Sequence, residues 1–216
     1  MIFLTGDLHG TNRLPQLGYD WWPLGRTLMK TDYLIVLGDF GLIWKDDRQH
    51  QYWLDWLNKK PWTTLFVDGN HENHNLLNSY PVTNWCGGKV HMITPSIIHL
   101  MRGQVFNLQG KKFFTFGGAT SIDKEHRKPY VSWWPEEVPS QHEILRGTLS
   151  LVSVNNKVDY VLTHTCPNEI VKVICGSKMN YELQQPDPVC NILDYFYELL
   201  EFDHWYFGHF HEDRQI

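Results

Sequence analysis

Seven side chains carry the chemistry this sequence can do. Asp7, His9, Asp39, Asn70, His164, His209 and His211 stand in five short motifs, GDLHG, LGDFG, DGNHEN, LTHTCP and FGHFH. The donors are carboxylate, amide and imidazole, with no thiolate. That mixture suits Mn²⁺, Fe or Zn²⁺ rather than copper or an iron–sulfur cluster. Seven donors are too many for one tetrahedral ion, but they suit two five- or six-coordinate ions if one carboxylate bridges them. Ions held roughly 3.5–4 Å apart can clamp the attacking and leaving oxygens of a phosphoryl transfer and acidify a water between them.

Each fragment alone has a plainer reading. Asp7 and His9 could be a solvated loop pair, Asp39 a helix cap, and Gly69-Asn70-His71-Glu72 an ordinary turn. His164 alone could be a hydrogen-bonded core histidine. Gly-His-x-His is the most telling piece, because His209 and His211 project to the same side of an extended backbone. All five in this order, each behind an apolar run, leave the plain reading little room.

The elements that must position these residues are legible as apolar runs. IFLT (2–5), YLIVL (33–37), TLFV (64–67), VFNL (105–108), KFFTF (112–116), DYVLT (159–163) and HWYF (204–207) read as strands. Runs without polar alternation predict burial on both faces. Helical periodicity marks 46–60, 140–154, where Ser140 and Glu143 stand at capping-box spacing, and 188–202. Strand–helix–strand alternation predicts parallel pairing with right-handed crossovers. Residues 88–118, with short turns such as LQGKK, predict an antiparallel part. Five motifs then lie just past strand carboxyl ends, where α/β sheets build sites, and the neighbouring glycines let the backbone turn sharply there. The fold expected is a mixed α/β domain with two sheets.

Composition narrows the function. The 216 residues are 42% hydrophobic with formal net charge −5 and pI near 6.2. A core of one large domain is affordable at this length, and the acidic balance disfavours nucleic acid as a main partner. Cys86, Cys166, Cys175 and Cys190 show no Cys-x-x-Cys spacing and read as reduced thiols of a cytoplasmic protein. No stretch reaches the length of a membrane span, and the MIFLTGD start does not read as a signal peptide.

On these five motifs the chain resembles the calcineurin-like metallophosphoesterase superfamily, most closely its small single-domain bacterial or phage members. The resemblance runs from Thr5 to His211. It implies a four-layer αββα sandwich with the site at the strand ends, and a single domain over 1–216. It implies one metal held by Asp7, His9 and His211, a second held by Asn70, His164 and His209, and Asp39 bridging both. Mn²⁺ is the foremost expectation, with Fe or Zn²⁺ as alternatives. A bridging hydroxide would attack phosphorus in line, and His71 would be the catalytic imidazole that protonates the leaving oxygen. Glu72 would orient the loop from behind. The substrate would be a phosphorylated small molecule or nucleotide, with monoester and diester both open. No oligomeric state follows from the motifs.

Two departures stand out. Phosphoprotein phosphatases of the superfamily follow the second motif with Asp and Arg, where this chain has Leu42 and Ile43, which puts protein phosphatase activity in doubt. Family members also continue with further strands past Gly-His-x-His, so a truncated chain or a short variant is expected. Substrate must then be gripped from elsewhere. Residues 116–137 carry Lys124, His126, Arg127 and Lys128 and end in Trp133-Trp134-Pro135. Arg127 is the expected phosphate contact, and the paired tryptophans could stack a base or a sugar. Met92, Met101 and IIHLMRG read as core. His50, His74, His91, His99, His142 and His204 read as structural or surface residues. The competing function is a metal-binding interaction scaffold on the same fold without catalysis, and the retained His71 and complete donor set speak against it. A nuclease would want an extended basic groove, which the charge balance does not favour.

Overall fold

The apolar runs become ten strands in a computed structural model, which describes residues 1–175 and 187–216. They are β1 (Ile2–Thr5), β2 (Tyr33–Leu37), β3 (Thr63–Val67), β4 (Val82–Trp85) and β5 (Gly88–Thr94), then β6 (Ile97–Leu100), β7 (Gln104–Leu108), β8 (Lys111–Phe116), β9 (Tyr160–Thr163) and β10 (His204–Tyr206). Five α-helices accompany them: α1 (Arg48–Asn58), α2 (His74–Leu77), α3 (Gln141–Val152), α4 (Asn168–Cys175) and α5 (Pro188–Leu199). One sheet has the order β1-β2-β3-β6-β5-β4 and the other β10-β9-β8-β7. β1, β2, β3 and β6 run parallel, as do β8, β9 and β10, while β4, β5 and β7 join antiparallel.

Three apolar layers separate four structural ones. Alternate residues of a strand face opposite sides, so Ile35 and Leu37 of β2 pack with Leu65 and Val67 against Phe106, Leu108, Phe113 and Leu162 of the facing sheet. Leu34, Val36 and Phe66 point the other way, beneath Leu54 and Leu57 of α1 and Leu77 of α2. On the far side, Phe114, Phe116 and Val161 lie under Leu151 of α3 and under Val189, Leu193 and Phe196 of α5. Helix, sheet, sheet, helix is thus the arrangement, an αββα sandwich.

Helix starts follow local chemistry. Asp47 caps α1 by accepting from the His50 backbone N–H at 2.9 Å. Ser140 and Glu143 form the reciprocal capping box at α3, and Asp187 caps α5 ahead of Pro188. Such caps are worth about 1 kcal/mol each.

Residues 88–118 hold the expected antiparallel pairings, β5 with β6 and β7 with β8 across the LQGKK turn. They are not one antiparallel unit: β5 and β6 complete the first sheet, with β6 parallel to β3, whereas β7 and β8 begin the second. The chain changes sheets at Arg102-Gly103, where Gly103 has φ 69° and a Cβ would sit 2.7 Å from the Gly147 nitrogen. β4 and α4 had no sequence signal. The thiols of Cys86 and Cys190 are free of disulfides; the Cys175 side chain lies outside the described residues. Among the described residues no helix is long and apolar enough to cross a membrane.

Candidate metal centre

Asp7 and His9 follow β1, Asp39 follows β2, Asn70 follows β3, His164 follows β9, and His209 and His211 follow β10. The carboxyl ends of parallel strands from both sheets converge there. The turns are tight: Asp7, His9, Asp39, His209 and His211 all have positive φ, between 47° and 70°. Left-handed backbone costs an L-residue about 1–2 kcal/mol, and such strain concentrates at functional sites. Close approach demands glycine beside them. A Cβ on Gly38 (φ 82°) would stand 2.1 Å from His164 Nδ1, and one on Gly69 would stand 2.2 Å from Asp39 Oδ1.

The side chains fall into two groups about Asp39. On one side, His9 Nε2 and His211 Nε2 approach to 3.2 Å. Asp7 Oδ1 lies 3.4 Å from His211 Nε2 and is buried without a hydrogen bond. On the other side, His164 Nε2 lies 3.3 Å from Asp39 Oδ1 and 3.1 Å from Asn70 Oδ1. The second oxygen of Asp39 faces the first group, 3.8 Å from His9 Nε2. Asp7, His9 and His211 bring ligand atoms within 4.8 Å of one another, as do Asp7, Asp39 and His164, and also His9, Asp39 and His71. His209 joins none of these triads. Its ring packs edge-on at 5.0 Å from that of His164, and its backbone N–H donates to Asp7 Oδ2 at 2.9 Å.

Charge in the centre is unbalanced toward the negative. Burial opposes protonation of His164, yet Asp39 outweighs it and raises that imidazole to about 9. Its Nδ1 faces the Leu37 carbonyl at 2.8 Å, and its Nε2 faces Asp39 and Asn70. Burial pushes His209 down to about 3. His9 and His71 are also lowered by burial, against the pull of Asp39. Burial works to raise Asp39, but the surrounding imidazoles hold its carboxyl well below the usual range.

Supporting residues complete the arrangement. Glu72 is fully buried and accepts from the Phe40 N–H at 2.7 Å and the Gly41 N–H at 3.3 Å, tying the loop after β3 to the loop after β2. Burial and the nearby Asp39 and Asp68 raise its pKa. Asp68, just before the Asn70 loop, is clasped by the Arg102 guanidinium and by His99 Nε2 at 3.2 Å. Asn70 Nδ2 donates to Ser121 Oγ at 3.2 Å, and Ser121 Oγ donates to Glu137 Oε2 at 2.7 Å. Glu137 is fully buried and pairs with Lys124 Nζ at 2.8 Å. Ser121, Glu137, Asp68 and Arg102 were not singled out from the sequence. Ser121 lies 51 positions from Asn70 and Arg102 lies 34 from Asp68, and no spacing signals either pairing.

Arg127 reaches the site. Its terminal nitrogens lie 3.4 and 3.5 Å from the ring nitrogens of His71, and its Nε donates to Asp123 at 2.8 Å. Leu42 and Ile43 are buried in the core and offer the site nothing. The expected tryptophan pair is not a stacking platform. Trp134 is 2% exposed and packs against Trp44, and Trp133 lies under Lys124.

Hard oxygens, the His9 and His209 imidazoles that burial keeps neutral, and the orphaned buried Asp7 Oδ1 fit divalent cations, and a cation in place of the His164 proton would answer the same negative charge. This fold and this donor set define a metal-dependent phosphoesterase. The chain belongs to the calcineurin-like phosphoesterase family, whose model matches residues 1–213. It is also similar to the lariat debranching enzyme of Schizosaccharomyces pombe (strain 972 / ATCC 24843), 26% identical over 163 residues. That match covers 65% of this chain and 33% of the relative, so the chain spans about a third of the relative's length.

Proposed function

We propose that the chain hydrolyses phosphomonoesters or phosphodiesters at a centre of two divalent ions, Mn²⁺ foremost, in the cytoplasm. Asp7, His9 and His211 would hold one ion, Asn70, His164 and His209 the other, with Asp39 shared. The observation that carries this is Asp39 itself, whose two oxygens face separate nitrogen groups at 3.8 and 3.3 Å. When bound, such ions acidify a water for in-line attack and offset the phosphoryl charge. The rest falls to the protein. Arg127 offers its terminal nitrogens to a phosphate oxygen, in place of the absent Asp-Arg pair. His71, whose ring lies alongside that guanidinium, delivers a proton from its imidazole to the leaving oxygen. Glu72 holds the two loops in register from behind. Nucleotide or other small phosphate esters are the substrate class this supports.

His71→Ala tests the reading. Positioned proton transfer contributes about 10²–10⁴-fold, and mostly where the leaving alkoxide needs the proton. The variant should keep its metal and lose activity strongly on alkyl esters, less on a nitrophenyl ester. Equal loss on both refutes the acid role, and loss of metal makes His71 a ligand, as its proximity to His9 and Asp39 allows.

A further inference from the structure

A cleft of about 370 Å³ opens directly beside the metal centre. His9 and His71 form one side, and Thr11, Asn12, Trp44 and His50 form the rest of its polar and aromatic lining. Its floor is smooth because Gly10 and Gly41 meet backbone to backbone. A Cβ on Gly10 would lie 2.7 Å from the Gly41 oxygen, and one on Gly41 would lie 2.6 Å from the Gly10 nitrogen.

The hydrogen-bonding groups facing this cleft are unspent. His50 Nδ1 is held at 2.7 Å by Asp47 Oδ1, the same oxygen that caps α1, so the ring is fixed and Nε2 remains without a partner among the described residues. The Trp44 ring is braced edge-on against Trp134 at 5.1 Å, and its backbone carbonyl accepts from Asn73 at 3.0 Å. Its indole N–H, the Thr11 hydroxyl and the Asn12 amide also have no partner among the described residues. Four polar side chains without a protein partner, converging on one concave surface beside a reactive centre, are how a small-molecule site is built. No lysine or arginine lines the cleft, so its guest is uncharged rather than a second phosphate. Two fixed flat rings, indole and imidazole, suit a flat guest with hydrogen-bonding edges.

We infer that this cleft binds a nucleoside, the uncharged portion of the phosphate ester whose phosphorus is attacked at the neighbouring centre. The assignment rests on the phosphoesterase reading for its catalytic meaning, but the cleft can be tested without turnover. Adenosine and guanosine, with methyl glucoside as the sugar alternative, are titrated into the metal-free protein and followed by NMR of the Trp44 indole and His50 ring protons. Nucleoside binding should shift both sets of signals. Trp44→Ala should weaken binding roughly five- to hundred-fold, the scale of one stacked base, and His50→Ala should weaken it without disturbing the Trp44–Trp134 contact. Nucleosides that shift neither residue, binding indifferent to both variants, or binding of methyl glucoside alone would overturn the assignment. In the metal-loaded enzyme, the ratio of kcat/KM for a nucleoside monophosphate over methyl phosphate should fall about tenfold or more in either variant. An unchanged ratio also overturns it. Absence of hydrolysis on every ester would refute the catalytic reading instead, leaving the titration to decide the cleft.

Discussion

Replacing Ser121 by alanine should loosen a metal ligand without touching one. Asn70 presents Oδ1 to His164 and Nδ2 to Ser121 Oγ at 3.2 Å. The Ser121 bond holds Nδ2 away from the centre and so keeps Oδ1 inward, because an NH₂ group turned inward offers a cation no lone pair. Ser121 is held in turn, its Oγ at 2.7 Å and its N–H at 2.9 Å from the two oxygens of Glu137. In Ser121→Ala the backbone N–H keeps Glu137 in place, and Lys124 still neutralises it at 2.8 Å, so the loop stays folded. Asn70, only 5% exposed, loses its donor's partner, and an unsatisfied buried group costs about 1–3 kcal/mol. The amide then flips or tilts, and metal affinity should fall about 10–100-fold, or about 1.4–2.7 kcal/mol, as for other residues that orient ligands. Calorimetric titration of Mn²⁺ into the metal-free protein reads this directly, alongside urea unfolding to show that the variant is folded. Ser121→Thr retains a hydroxyl and should recover most of the affinity. A folded Ser121→Ala protein that binds Mn²⁺ as tightly as the parent would refute the role given to this bond.

Gly69→Ala should abolish binding of at least one ion, because its methyl would overlap Asp39 Oδ1 at 2.2 Å and the Asp39 nitrogen at 2.4 Å; a variant with full metal content would show that the loop yields freely. Arg127→Ala should raise KM or lower kcat/KM with metal content intact, and unchanged kinetics on every active ester would return that guanidinium to its Asp123 pairing alone. Acid stability should depend on two histidines outside the centre. Burial holds His74 down to about 3 and His91 to about 4, from an ordinary value of 6.5. Both stay neutral in the folded protein while the unfolded chain takes up protons below 6.5. Stability is therefore lost as pH falls from about 6.5 toward 4, by about 1.4 kcal/mol per pH unit for each histidine. Urea unfolding of the metal-free protein between pH 7 and 5 measures that slope, and His74→Gln should flatten it; an unaltered slope would assign the acid sensitivity elsewhere.

What could be read in advance followed from burial and from ligand chemistry. β2 and β3 are buried along nearly their whole length, so Leu34–Leu37 and Leu65–Val67 stand out as unbroken apolar runs. β4 is an exposed edge strand, VTNW, whose composition resembles a loop, and β5 mixes Lys89 and His91 into its ladder. The seven proposed donors stood out because a metal would need particular atoms, and each of these follows a strand end. The residues that aim them did not, because Ser121 and Asn70 meet across 51 positions only after β8 has joined the second sheet. Trp133-Trp134 drew attention as an adjacent pair, yet an adjacent pair on irregular backbone need not share a face. The fold buries Trp134 to brace Trp44, a lone tryptophan with no sequence mark. Likewise, nothing in a sequence says that five ligands will adopt left-handed backbone, since aspartate and histidine tolerate that region without requiring it.

The same comparison explains how the chain manages without an arginine after its second motif. Leu42 and Ile43 point into the apolar layer under α1, so that stretch strengthens the core instead of gripping phosphate. The guanidinium arrives from the other sheet, on the segment after β8. That segment is fixed at three points: Ser121 on Asn70, Lys124 on Glu137, and Arg127 against His71. One stretch of chain thus orients a metal donor at one end and faces the proton donor at the other. Displacing it would disturb both together, whereas in enzymes with the Asp-Arg pair the phosphate grip belongs to the loop that carries the bridging aspartate. Through that segment the guanidinium is tied to the Asn70 side of the centre, and it reaches His71, which also lines the cleft of Trp44 and His50. An ester bound here would have its phosphate within reach of Arg127 and its uncharged portion seated over the Gly10–Gly41 floor.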